Sequence, residues 1–138
     1  MPARFDFVIT NEAEFVQTGG DEVTGAFLPT AYISESKTRI QAYRALAEVA
    51  TSEQLDKLRK SWRDRFGPLP EAVENLLILA EIKLAAGARR IAKVEVKDRK
   101  LMLICRGDYI LVAGKFPRLQ ADAPRDRLIE TLDLLRKL

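Results

Sequence analysis

Along residues 36–50 the apolar positions Ile40, Tyr43, Leu46, Ala47 and Ala50 recur every three or four residues, the spacing that lines one face of an α-helix. The pattern predicts a helix with that face turned inward. Directly after it, Thr51-Ser52-Glu53-Gln54 fits a capping box, in which the Thr51 hydroxyl accepts from the third helical amide while the Gln54 side chain reaches back. A second helix therefore starts there, with Leu55, Leu58, Trp62 and Phe66 as its buried stripe. Gly67 stops it, because glycine adopts the left-handed conformation at a helix end at little cost. Pro68-Leu69-Pro70 enforces an extended link, and Pro70 suits the first turn of a third helix, where its missing amide proton costs nothing. That helix is expected to run to Ala86, with Gly87 as its stop. Leu76, Leu77, Leu79, Ala80 and Leu84 cover so much of its circumference that it is expected to be the central helix. Ile78 and Ile82 interrupt its only polar sector, made by Glu71, Glu74, Asn75 and Glu81. Either the sheet or a partner covers these two isoleucines.

Elsewhere the strand signals dominate. Phe5-Asp6-Phe7-Val8-Ile9 is rich in aromatic and β-branched residues and precedes a polar stretch through Thr18-Gly19-Gly20-Asp21, so a strand followed by a loop is expected. Ala26-Phe27-Leu28 fits a short second strand ended by Pro29, which cannot donate to a ladder. Ala92, Val94 and Val96 alternate with Lys93, Glu95 and Lys97, the pattern of a strand with one wet face. Asp98-Arg99 reads as a tight turn, Leu101 to Cys105 as an inner strand, and Tyr109 to Val112 as the next strand of a meander, joined through Gly107-Asp108. Arg106-Gly107-Asp108 has the form of an adhesion motif, but in a cytosolic chain lacking disulfides it reads as a turn. Ala123-Pro124 opens a last helix whose Leu128, Leu132 and Leu135 pack back on the core. The fold class is α+β: three consecutive helices packed with a small antiparallel β-meander and a C-terminal helix, in a single domain over residues 1–138.

The chain has 138 residues and 47% apolar content, enough for one hydrophobic core and short for two domains. No apolar run approaches the roughly 20 residues that span a bilayer, and Met1-Pro2-Ala3-Arg4-Phe5 lacks the apolar centre of a secretory signal, so a cytoplasmic location and no membrane partner are expected. Cys105, the single cysteine, lies in the apolar run from Leu101 and reads as a buried strand thiol. The chain contains no histidine, which removes Ser-His and Cys-His nucleophile pairs and the commonest transition-metal ligand. Gly19-Gly20 lacks the Lys-Ser/Thr of a phosphate-binding loop. Glu12/Glu14 and Asp21/Glu22 lie in polar segments, where they read as surface charge rather than tuned acid-base groups. The expectation is a non-enzymatic domain without cofactor or metal.

Charge leaves one alternative open. The net charge is +3, but residues 1–33 carry five acids against Arg4, which leaves +7 on the remainder. Arg59, Lys60, Arg63 and Arg65 form one basic group, and Arg89, Arg90, Lys93, Lys97, Arg99 and Lys100 surround the first hairpin. A small nucleic-acid-contacting module using that basic hairpin is thus the alternative function. Acidic residues interleave both groups, and no exposed aromatic array for base stacking is evident from the sequence.

Leu28-Pro29-Thr30-Ala31-Tyr32-Ile33, then Arg39-Ile40-Gln41-Ala42-Tyr43-Arg44, and above all Asp64-Arg65-Phe66-Gly67-Pro68-Leu69-Pro70 with Asn75-Leu76-Leu77 resemble the C-terminal domain of bacterial transcription-repair coupling factors. The resemblance is specific between about Phe27 and Ile91. It implies a parent that is a large ATP-dependent DNA translocase, which displaces stalled RNA polymerase and recruits nucleotide excision repair. The motor motifs of that family lie upstream of this domain, so the chain resembles a fragment of the larger machine. The resemblance further implies a regulatory role: the domain docks on an N-terminal repair-helicase-like module and covers the surface that binds the damage-recognition ATPase, an autoinhibition. RNA polymerase and DNA are then reached only through the parent, and the isolated domain is expected to be a monomer. Asp64 and Arg65 match charged family positions that contribute to docking, while Ser61 departs from an acidic residue that the family can carry there. Ser61, Asp64 and Arg65 are the candidate partner-binding residues, together with Ile78 and Ile82 if a partner covers them. Asp64 and Arg65 could instead brace the following Gly-Pro turn.

Overall fold

The structure, a computed structural model, describes residues 1–138. In chain order its elements are β1 (Ala3–Phe5), β2 (Val8–Ile9), α1 (Glu12–Thr18), β3 (Thr24–Gly25), α2 (Ser36–Ala47), α3 (Ser52–Phe66), α4 (Glu71–Ala88), β4 (Ile91–Lys97), β5 (Lys100–Cys105), β6 (Asp108–Tyr109) and α5 (Pro124–Arg136). The α+β class and the order of the meander β4, β5 and β6 agree with the sequence, but the third strand is Asp108–Tyr109 and does not run over the expected Tyr109 to Val112. β1 adds a parallel edge to β4, so the sheet is mixed and four-stranded in the order β1-β4-β5-β6. β2 and β3 form a separate parallel pair.

The expected strand over Phe5–Ile9 changes partner part-way. β1 pairs with β4, the chain turns at Asp6-Phe7, and β2 then pairs with β3. Phe5 and Phe7 both enter the core, with ring centroids 5.6 Å apart in an edge-to-face arrangement. The polar stretch that follows contains a helix rather than a loop alone: the Glu14 amide donates to the Asn11 side chain at 3.0 Å and caps α1. The second strand is Thr24–Gly25, just before the expected Ala26-Phe27-Leu28, which is buried without being a strand.

α4 divides two cores. On one side Leu28, Ile33, Ala42, Leu55, Trp62 and Leu77 join α2, α3 and the loop before them. On the other, Leu79, Ile82 and Ala86 meet the sheet residues Val94, Val96, Leu101 and Leu103 and the α5 residues Leu128, Leu132 and Leu135. The central position expected for α4 follows from this double coverage. α4 runs through Gly87 to Ala88 instead of stopping at Gly87, and the reversal falls at Arg90, whose φ is 58°.

Two inward faces are rotated from expectation. In α2 the one buried residue is Ala42, whereas Ile40 is 51% exposed and Tyr43 37% exposed. Tyr43 and Ala47 line an apolar hollow of about 650 Å³ between α2 and α4, and the Tyr43 hydroxyl accepts from the Leu28 amide at 2.7 Å. In β4 a bulge between Ile91 and Lys93 turns Ile91 inward and Ala92 outward. Cys105 is half-buried. Both hairpin turns have two residues in the left-handed region: Asp98 and Arg99 (φ 50° and 66°), then Arg106 and Gly107 (φ 54° and 84°). That handedness matches the twist of paired strands, and it confirms the Arg106-Gly107-Asp108 tripeptide as turn geometry, with Asp108 already in β6. No helix is long and apolar enough to cross a membrane.

Candidate docking surface

The capping box starts α3 as expected. The Gln54 amide donates to the Thr51 hydroxyl at 3.1 Å, and the Gln54 side chain accepts from the Ala50 amide at 2.7 Å. With Leu55 and Trp62 buried against α4 and the Leu28–Ile33 loop, helical periodicity turns Lys57, Ser61, Asp64 and Arg65 to solvent, and all four are exposed. Three of the five candidate residues, Ser61, Asp64 and Arg65, therefore share one ridge near the end of α3.

The turn that ends the ridge is held by another residue. Tyr32 sends its hydroxyl toward the carbonyls of Gly67 at 2.9 Å and Trp62 at 3.2 Å, and its ring meets Phe66 edge-on at 5.7 Å. Burial pushes the Tyr32 phenol above its ordinary range, and the positive charge of Arg63 opposes the shift. Gly67 itself sits at φ 97°, a conformation that disfavours a side chain. Neither Asp64 nor Arg65 takes part in these hydrogen bonds, and neither belongs to any of the chain's seven ion pairs. The Arg65 guanidinium lies 4.9 Å from the Phe66 ring centroid. Tyr32 supplies the hydrogen bonds that brace the Gly-Pro turn and Arg65 adds a contact on Phe66, while Asp64 and Arg65 both lie at the surface outside every ion pair.

Beside the ridge, α2 and α3 leave a shallow depression of about 370 Å³. Ala45, Val49 and Leu58 supply its apolar part, and Glu48, Lys57 and Ser61 are among the polar residues around it. Glu48, Val49 and Lys57 were not singled out in the sequence, because their neighbourhood depends on how α2 packs on α3. The Ser61–Arg65 ridge and this depression make one continuous surface, apolar at one end and charged at the other.

The remaining two candidates lie elsewhere. Ile82 has no exposed surface and belongs to the sheet-side core, and Ile78 is half-buried against the same core. They are covered by the chain itself, so Ile82 is corrected from partner-binding to core, and Ile78 is not part of the ridge. The reason is visible in α5: Arg125 pairs with Glu74 at 2.6 Å and Arg136 with Glu81 at 3.0 Å. Glu74 and Glu81 of that polar sector face α5, whereas Asn75 turns to Thr24 and Gly25 of β3. Glu81 also accepts from Arg59 at 3.2 Å, and Lys60 pairs with Asp56 at 3.3 Å, so part of the first basic group is engaged within the fold. No group of three or more His, Cys, Asp or Glu residues is arranged to hold a metal ion.

With the geometry in place, comparison with known proteins decides the family. The TRCF domain model matches residues 24–109. The chain belongs to the TRCF domain family. The matched segment of this TRCF domain includes β3, all of α2, α3 and α4, and hence the whole ridge. Among curated relatives, the transcription-repair-coupling factor of Borreliella burgdorferi is 35% identical over 75 residues, covering 54% of this chain and 7% of the relative. That of Bacillus subtilis is 34% identical over 86 residues, covering 62% of this chain and 7% of the relative. The TRCF domain thus spans about 7% of the length of these curated relatives. A crystal structure of the C-terminal domain of transcription-repair coupling factor has the same fold, with a TM-score of 0.63 at 20% identity over 87% of this chain and 91% of that one.

Proposed function

We propose that this TRCF domain is the non-catalytic regulatory module of an ATP-dependent DNA translocase that couples transcription to nucleotide excision repair in the cytoplasm. It docks on an N-terminal repair-helicase-like module of the same parent and covers the surface that would otherwise take the damage-recognition ATPase. RNA polymerase and DNA are engaged by other parts of that parent. The observation that carries this reading is the pair Asp64 and Arg65, exposed on α3 and outside every ion pair of the fold, beside a partly apolar depression. Apolar contact supplies affinity in such an interface, and flanking charges fix its register.

A pull-down of the N-terminal module with this domain tests the proposal, comparing the natural sequence with Asp64→Lys plus Arg65→Glu. The double substitution keeps the net charge and reverses each partner contact. Capture by the natural domain and loss by the variant are the expected result. Equal capture by both would remove the ridge from the interface.

A further inference from the structure

The four-stranded sheet buries one face only. Val94, Val96, Leu101 and Leu103 turn into the core under α4 and α5. Strand register assigns the opposite face row by row, because paired residues in adjacent strands project to the same side. Arg4, Glu95 and Met102 form one cross-strand row, Lys93, Ile104 and Tyr109 the next, and Lys97 pairs with Lys100 beyond them. A bridge between Lys100 and Arg118 adds the latter to the same side.

The composition of this face is one-sided. Its strand and bridge positions carry the cations Arg4, Lys93, Lys97, Lys100 and Arg118 against a single carboxylate, Glu95, while Asp6, Glu14 and Asp98 gather at the edge beside Arg4 and Lys97. The Lys93–Glu95 pair is 4.0 Å apart and partly exposed, so it holds Lys93 weakly. At the hairpin tip the Asp6 carboxylate is occupied by the Asp98 amide at 2.9 Å, and Asp122 is held by Arg99 at 2.9 Å. Within this basic field lies an aromatic pair that the sequence did not reveal. Tyr109 is 53% exposed and meets Phe116 edge-to-face, with centroids 5.2 Å apart. Packing against Phe116 fixes the tyrosine ring while leaving much of it open, and the half-buried Ile104 and Met102 continue the surface across the sheet.

We propose that this face binds a single-stranded polynucleotide, with phosphates along Arg4, Lys93, Lys97, Lys100 and Arg118 and a base stacked on Tyr109. Cations that track a backbone, combined with an exposed ring for stacking, are the means by which single strands are held without groove readout. A duplex, whose bases are stacked within it, offers no free base face to Tyr109. This proposal concerns a surface separate from the α3 ridge and stands independently of the docking function.

Fluorescence anisotropy on the full chain tests it, using labelled oligothymidylate and oligouridylate of about twelve nucleotides and the same oligothymidylate annealed to its complement. Both single strands are expected to bind at low salt, the tighter one identifying the preferred sugar. With about five phosphates contacted, affinity should fall by about three to four log units per log of salt. Tyr109→Ala should weaken binding about tenfold while Tyr109→Phe retains it. Lys93→Ala with Lys100→Ala should reduce the salt slope by about 1.4. Asp64→Lys with Arg65→Glu serves as a control expected to bind as the natural chain does, and thermal melts establish that each variant is folded. Absence of binding by both single strands, a duplex bound as tightly as the single strand, or a folded Tyr109→Ala variant of undiminished affinity would each overturn the proposal. The first of these results is also the one expected if the face docks a protein instead.

Discussion

The Tyr32 hydroxyl donates toward the Gly67 carbonyl across 2.9 Å, joining residues 35 apart in the sequence. This contact ties the loop before α2 to the end of α3, so the angle of the Ser61–Arg65 ridge is set from outside its own helix. Tyr32→Phe keeps the ring against Phe66 and deletes the hydroxyl. The expected loss of stability is about 1 kcal/mol, measurable by urea denaturation at neutral pH.

The same phenol gives a pH dependence. Its folded pKa is raised, chiefly by burial, so the folded state holds the proton more tightly than the unfolded chain. The associated stability is fully present below about pH 10, where free tyrosine ionises, and is lost as pH rises through the higher folded value. The natural chain should therefore lose more stability than Tyr32→Phe on going to strongly alkaline pH, as followed by thermal melts. Equal alkaline losses would remove Tyr32 from the turn's energetics.

Asn75 is buried in α4 and donates from its side-chain amide to the Thr24 hydroxyl and the Gly25 carbonyl, each at 2.8 Å. These bonds fasten β3 to the central helix and leave two acceptors without that donor when the amide is removed. Asn75→Ala is expected to cost about 2–3 kcal/mol, again by denaturant titration. Thr24→Val should cost less, since the bond to Gly25 survives.

Much of the helical half of the fold was legible. α3 and α5 carry apolar residues at helical spacing, and Thr51, Gln54 and Gly67 mark the ends of α3 in chemistry that is local. α1 escaped notice because its few apolar residues sit among acids, although Asn11 three residues before Glu14 was an available capping signal. The parallel pairing of β1 with β4 joins residues some ninety positions apart, and no local pattern encodes it. Ser61, Asp64 and Arg65 were found through the family resemblance and fall together because helical spacing is itself a sequence property. The depression beside them depends on the packing of two helices, and the aromatic pair Tyr109–Phe116 on the return of the chain after β6.

Ile82 separates core from surface by experiment. Fully buried among sheet and α5 side chains, it should cost about 2–5 kcal/mol when replaced by alanine. Any loss of partner binding in Ile82→Ala should then track unfolding and disappear under conditions that keep the variant folded. A variant of natural stability with impaired binding would return Ile82 to the docking surface.

Arg106 holds a left-handed conformation at φ 54° beside Gly107 at 84°. Asparagine tolerates that region better than arginine and is favoured at the first position of such two-residue hairpins. Arg106→Asn is expected to raise stability by about 0.5 kcal/mol, read as an increase in the thermal midpoint.

The most direct test of the regulatory account is competition. The N-terminal repair-helicase-like module is titrated with the damage-recognition ATPase in the presence and absence of this TRCF domain. The natural domain is expected to weaken that association in proportion to its concentration, and Asp64→Lys with Arg65→Glu to leave it unaffected. Undiminished association with the natural domain bound to the module would contradict the claim that docking covers the ATPase-binding surface.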